Sequence, residues 1–155
     1  MSKITVRKAT IKDVPGILAL VNFYAQKNLM LPRSEDAVIQ NLRDFFVAVE
    51  TADKKVIGCA ALHLYTDRLS EIKSLAVAEE HTRRGLGAKL IKRCLAEAKA
   101  LGVPKVFTLT YVPEIFSKNK FKPSVKELLP QKIWEECRLC PRRNNCAEKC
   151  LVYAG

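Results

Sequence analysis

The chain has 155 residues, 48% of them hydrophobic and 28% charged, enough for one globular domain with a sizeable core. No apolar run approaches the roughly 20 residues that span a bilayer, and the N-terminal MSKITVRKAT lacks the apolar core of a signal peptide, so the expectation is a cytoplasmic protein with no membrane partner. A formal charge of +11, from 27 Lys+Arg against 16 Asp+Glu, favours anionic ligands, but the basic residues are scattered without a polybasic arm, which weighs against nucleic acid.

Lys3 to Lys8 alternates Ile4 and Val6 with polar residues and predicts a first strand. Thr10 followed by Asp13 is a helix-start pair. Ile11, Val14, Ile17, Leu18, Val21 and Tyr24 then keep helical spacing, with Pro15 tolerable in the first turn. Pro32 interrupts, and Ser34 is placed to cap a second helix carrying Ala37, Val38, Leu42 and Phe45. Phe46 to Val49 and Val56 to Tyr65 predict strands joined by the polar turn Thr51 to Lys55, and Glu71 to Ala78 continues the meander. Leu86, Leu90, Ile91, Cys94, Leu95 and Ala98 mark an amphipathic helix that Gly102 and Pro104 stop. Val106 to Val112 predicts another strand, Pro113 a short helix to about Asn119, and residues from Leu128 onward a separate tail. The order β-α-α-β-β-β-α-β-α describes a single mixed α/β domain over residues 1–127, with residues 128–155 as a Cys-rich extension packed on it.

The segment HTRRGLGAKL, residues 81–90, places two glycines where the long helix begins. A helix N-terminus presents unsatisfied amides and the positive end of the macrodipole, and glycine lets a pyrophosphate come close. Two common phosphate motifs fail here. A P-loop needs Gly-Lys-Ser/Thr, which does not occur, and a dinucleotide fingerprint needs a third small residue where Leu90 stands. What remains is a cradle following a β-meander and followed by a strand-helix unit.

This arrangement resembles the GNAT superfamily of acetyl-CoA-dependent N-acetyltransferases, most closely over SLAVAEEHTRRGLGAKL, residues 74–90. The resemblance implies a mostly antiparallel central sheet flanked by helices. It implies acetyl-CoA as co-substrate, with the pyrophosphate on the amides of Arg83, Arg84, Gly85, Leu86, Gly87 and Ala88. Thr82 stands where the superfamily pattern has Gln or Arg, which leaves the anion to those amides and to Arg83 or Arg84. Amides near Leu75, Ala76 and Val77 would receive the thioester oxygen. Superfamily members are often dimers, so a homodimer is compatible with the reading.

Acetyl transfer needs a base for the ammonium and an acid for the leaving thiolate. Glu71, in the strand before the glycine turn, resembles the base of several superfamily members, and His63 is the alternative. The usual acid is a Tyr at the position of Phe116, which has no hydroxyl; Phe116 would then only line the cofactor site, and Tyr111 is the first substitute, Ser117 the second.

LMLPRSEDAV (29–38), EIKSLAV (71–77) and LPQKIWEECRLCPRRNNC (129–146) together resemble short, stand-alone bacterial N-acetylglutamate synthases, which open arginine biosynthesis and lack the kinase-like domain of the longer form. The resemblance implies glutamate as acceptor. Two carboxylates call for fixed cations. Arg33 would grip one, with the Leu31 carbonyl or Ser34 beside it, and Lys73, sharing strand parity with Glu71, is the second cation. The long-form enzymes carry an arginine just after the strand near Val112, and this chain has none there.

Of the six cysteines, Cys59 and Cys94 fall in apolar patterns, while Cys137, Cys140, Cys146 and Cys150 crowd the C-terminus. The two-residue gap between Cys137 and Cys140 suits a structural zinc knuckle. The wider spacings that follow favour free or oxidisable thiols slightly over zinc, with an iron–sulfur cluster less favoured still, and no catalytic role is implied.

Overall fold

The computed structural model describes residues 3–82, 84–125 and 149–154. Strand β1 (Ile4–Lys8) enters the fold through a buried polar joint. The Asp13 carboxylate accepts from the Thr10 amide at 2.7 Å and takes both Arg7 nitrogens, at 2.7 and 3.1 Å. Helix α1 (Val14–Gln26) follows and buries Val14, Ile17, Leu20 and Val21, the stripe expected of an amphipathic helix. It lies close to the sheet at Gly16, where a Cβ would come within 2.7 Å of Val56 Cβ. Helix α2 (Glu35–Gln40) is capped by Ser34, whose hydroxyl accepts from the Ala37 amide at 3.1 Å.

Strands β2 (Phe45–Glu50), β3 (Val56–Leu64) and β4 (Leu69–Val77) form the central meander. They are buried on both faces, which is why they read as near-continuous apolar runs instead of alternating ones. Helix α3 (Leu86–Leu101) crosses over to β5 (Lys105–Thr110), and α4 (Pro113–Lys118), β6 (Lys122–Ser124) and β7 (Lys149–Ala154) complete the fold.

The seven strands run in the order β1-β2-β3-β4-β5-β7-β6. Among the described strands only β4 and β5 pair in parallel, as the crossover through α3 requires. Helices α1 and α2 cover one face over a core that includes Ile17, Val21, Val38, Val47 and Cys59. Helix α3 covers the other, over Phe46, Leu62, Ile72, Leu90 and Ile91. No helix among the described residues is long and apolar enough to cross a membrane.

Several features differ from the sequence reading. Phe45 begins β2 instead of ending α2, because it is buried against the α1 face while a 3-10 turn at Leu42–Asp44 closes the helix. Strand β4 begins at Leu69, two residues before Glu71. Strand β5 ends at Thr110, short of Val112. The largest difference is β7: part of the segment set apart as an extension is an internal strand, paired residue for residue with β5 from Lys105↔Ala154 to Thr110↔Lys149. Its signal was hidden because KCLVYA is short and its partner lies some forty residues earlier in the chain.

Candidate active site

The site begins where the sheet comes apart. Strands β4 and β5 pair only from Leu69↔Lys105 to Glu71↔Phe107, and the Thr108 hydroxyl caps that pairing by donating to the Ile72 carbonyl at 2.9 Å. Immediately afterwards β4 bulges. Cys59 faces Ala76 but Ala61 faces Lys73, so Ser74 and Leu75 stand opposite Ala60 alone. Ser74 takes φ +56°, a left-handed conformation uncommon for a residue with a side chain. The Cys59 thiol sits against this bulge and donates to the Ser74 carbonyl at 3.4 Å. Burial pushes that thiol up to about 12, with the Ala76 amide pulling the other way, so it remains S–H.

The bulge also sets the direction of the backbone. Ala78 N–H donates to the Ile57 carbonyl at 2.8 Å, and Ala76 lies opposite Cys59 in the same register. Antiparallel alternation then turns the N–H group of Val77 toward the side that β5 has left. The far end of this opening is tied to α1 by the Tyr24 hydroxyl, which donates to the Val77 carbonyl.

Helix α3 points its N-terminus toward the end of β4. Its first turn bond is Lys89 N–H to the Gly85 carbonyl, 3.1 Å. The amides of Gly85, Leu86, Gly87 and Ala88 therefore lack intrahelical partners, and among the described residues no side chain caps them. Gly85 holds φ +74° with no atom of the described residues near a would-be Cβ, so backbone conformation selects glycine there. Gly87 faces the Ile115 side chain of α4, with which a Cβ would collide. Leu86 anchors the turn in the core. Thr82 does not reach outward as the Gln or Arg of the superfamily pattern would; its hydroxyl donates to the Glu79 carbonyl at 3.0 Å. Arg84 and Lys89 flank the cradle, and Arg83 lies outside the described residues.

Glu71 lies at the fork and is 6% exposed. It pairs across the sheet with His63, as Lys73 does with Ala61. Ala61 belongs to the α1-side core, so Glu71 and Lys73 project from the face that α1 and α2 cover. The Tyr65 hydroxyl donates to Glu71 Oε1 at 2.8 Å, and His63 Nδ1 lies 2.7 Å from Asp44 Oδ2. Arg33 sits in the loop between α1 and α2, on this same side. Asn22 clamps its peptide, accepting from Arg33 N–H at 3.3 Å and donating to its carbonyl at 3.4 Å. Leu31 is half-buried in that loop, whereas the Ser34 hydroxyl is engaged as the helix cap. Tyr111 is half-buried just past β5. Phe116 is 2% exposed and packs edge-on against Phe121 at 5.2 Å, so its ring forms part of the α3-side core behind the opening.

Asn22 and Tyr65 were missed in the sequence. Asn22 carried a weak signal, a polar residue beside the buried stripe of α1; Tyr65 carried one only in sharing strand parity with His63. Of the C-terminal cysteines, Cys150 is buried in β7, and Cys137, Cys140 and Cys146 lie outside the described residues. Among the described residues no group of His, Cys, Asp or Glu could hold a metal ion, so nothing in the structure supports a zinc at these cysteines.

Residues 17–120 match the Acetyltransferase (GNAT) family. An uncharacterized N-acetyltransferase of Chlorobaculum tepidum, CT2212, is 41% identical over 95% of this chain and 94% of its own length. An amino-acid acetyltransferase of Mycobacterium tuberculosis is 35% identical over 86% of this chain and 77% of its own. Among solved structures, Rv2747 of Mycobacterium tuberculosis in complex with CoA and NLQ superimposes with a TM-score of 0.86 at 28% identity, covering 97% of this chain and 99% of that one. N-acetylglutamate synthase of Neisseria gonorrhoeae, complexed with coenzyme A and N-acetyl-glutamate, shares the fold with a TM-score of 0.88 at 24% identity; the match covers 99% of this chain and 35% of that longer one. The forked sheet, the bulged strand and the uncapped helix therefore have a family: the chain belongs to the acetyltransferases of the GNAT family.

Proposed function

We propose that the protein transfers the acetyl group of acetyl-CoA to the α-amine of an amino acid, L-glutamate, the reaction that opens bacterial arginine biosynthesis. One observation carries the reading. A buried carboxylate, Glu71, stands where β4 and β5 part, on the face that also bears Lys73 and the Arg33 loop. Relatives named amino-acid acetyltransferase support the acceptor class.

In this reading the pyrophosphate of acetyl-CoA lies on the amides of Gly85 to Ala88, with Arg84 and Arg83 adding charge. The pantetheine arm runs into the fork, and the thioester oxygen meets the amides on Leu75 to Val77. Arg33 and Lys73 hold the two carboxylates of glutamate, and this orients its amine toward the thioester. Glu71 takes a proton from the ammonium. The freed amine attacks the carbonyl carbon and a C–N bond forms, while negative charge gathers on the oxygen facing the β4 amides. The C–S bond then breaks. Tyr111, with Ser117 as the alternative, protonates the departing thiolate, and the nitrogen gives up one of its two protons to solvent, leaving the neutral N–H amide. His63, already tied to Asp44, is the alternative base.

Incubation with acetyl-CoA and each amino acid in turn, with mass-spectrometric detection of product, tests the proposal. Acetylglutamate as the dominant product is expected. Product with a different amine, and none with glutamate, would overturn the acceptor; no binding of acetyl-CoA would overturn the cradle.

A further inference from the structure

Glu71 is one end of a chain of side chains that crosses three elements. Its Oε1 accepts from the Tyr65 hydroxyl at 2.8 Å. The Tyr65 ring stands edge-on to His63, with centroids 4.9 Å apart, and lies 5.9 Å from the Phe107 ring on β5. His63 Nδ1 in turn lies 2.7 Å from Asp44 Oδ2, at the end of the 3-10 turn before β2. The far end of the chain is open, with His63 and Asp44 side chains 32% and 25% exposed, and the near end is buried.

A hydroxyl that donates to a carboxylate does two things. It restricts rotation of the carboxylate, and it favours the charged form over the protonated one. A general base needs both, since it must be ionised and aimed when the ammonium arrives. We propose that Tyr65 is the positioning residue for Glu71, and that the Asp44–His63 pair holds the Tyr65 ring in place for that purpose. This rests on Glu71 being the base. Among the described residues, titratable groups on this face also include Lys73 on β4, Cys59 on β3, Tyr24 on α1, Tyr111 past the end of β5 and Arg33 in the loop above, while β5 itself offers the apolar Phe107. Tyr65 approaches the carboxylate from the end of the strand next door, and its ring is braced on both sides.

Tyr65→Phe keeps the ring and its packing and removes only the donor. The acidic limb of the kcat/KM profile for amino-acid acetylation should then move up by roughly one pH unit, with the KM for acetyl-CoA unchanged. A plateau that falls while the limb stays in place would overturn the proposal, because a merely structural loss scales the rate at every pH. The Glu71 carboxyl carbon, followed by NMR in the free enzyme, should titrate at higher pH in Tyr65→Phe than in the wild type; coincident titrations would also overturn it. Glu71→Gln separates the two levels. If that variant keeps the wild-type rate and limb, the base assignment has failed and the proposal goes with it. If it loses both while Tyr65→Phe leaves the limb unmoved, only the role of Tyr65 has failed.

Discussion

Helix α3 begins at Gly85 with φ +74° and ends at Gly102 with φ +80°, and at neither position does any atom of the described residues lie within 4 Å of the place a Cβ would take. Alanine at either therefore meets no clash and carries only the left-handed backbone cost, about 1–2 kcal/mol. The two substitutions are matched in strain and lie at opposite ends of one helix. Each should lower the melting temperature by about 2–8 °C. They should differ in function, because only Gly85 belongs to the amide cradle. If Gly85→Ala relieves its strain by leaving the left-handed well, the amides of Gly85 to Ala88 turn away from the phosphate, and binding must restore them. The cost then appears as a rise of about 5- to 30-fold in the Kd for CoA, the same energy expressed as a ratio. Gly102→Ala should leave that Kd at the wild-type value. Calorimetric titration of CoA into both variants, with thermal melts alongside, reads both quantities. Equal Kd values for the two variants would refute the cradle, whatever the melts show.

Glu71→Gln should lower kcat by about 10²- to 10⁴-fold, the range of a lost general base, and Arg33→Ala should act mainly on the KM for the amino acid; steady-state kinetics with both substrates varied distinguishes the two. At Asp13, burial works to raise the carboxyl pKa, but the Arg7 hydrogen bonds and the Thr10 amide outweigh it and hold the group below its ordinary value. The stability this lends is present above the ordinary carboxylate pKa and is lost as pH falls through the lowered one. Asp13→Asn should thus cost stability at neutral pH, by about 1–3 kcal/mol, and progressively less in acid, as urea melts across pH would show. Cys59 and Cys94 are both buried, with thiols pushed up to about 12; alkylation at pH 8 followed by peptide mapping should leave both unmodified until denaturant is added. Modification of either in the native protein would show that its burial is breached.

The parts legible in the sequence were those whose signals are local. The 3.6-residue stripe of α3 and its terminal glycines, the Ser34 cap and the Thr10–Asp13 pair each lie within a few residues of the structure they specify. The glycine turn at the start of α3 and the parity that puts Glu71 and Lys73 on one face were readable for the same reason. Phe45 misled because its spacing fits a helix, and burial against α1 decided for the strand.

Tertiary structure alone decided the rest. Pairing of β4 with β5 stops at Glu71, Ser74 takes up the bulge, and β7 inserts between β5 and β6. These depend on which distant strand offers its edge, and periodicity in one segment carries no information about that. The same holds for Asn22 on the Arg33 peptide and Tyr65 on the Glu71 carboxylate. The sequence by itself determined that a glycine turn opening a helix and a strand carboxylate occur in one domain. Folding opened the sheet between them, because the bulge in β4 and the short β4–β5 pairing leave part of that strand without a neighbour on the β5 side.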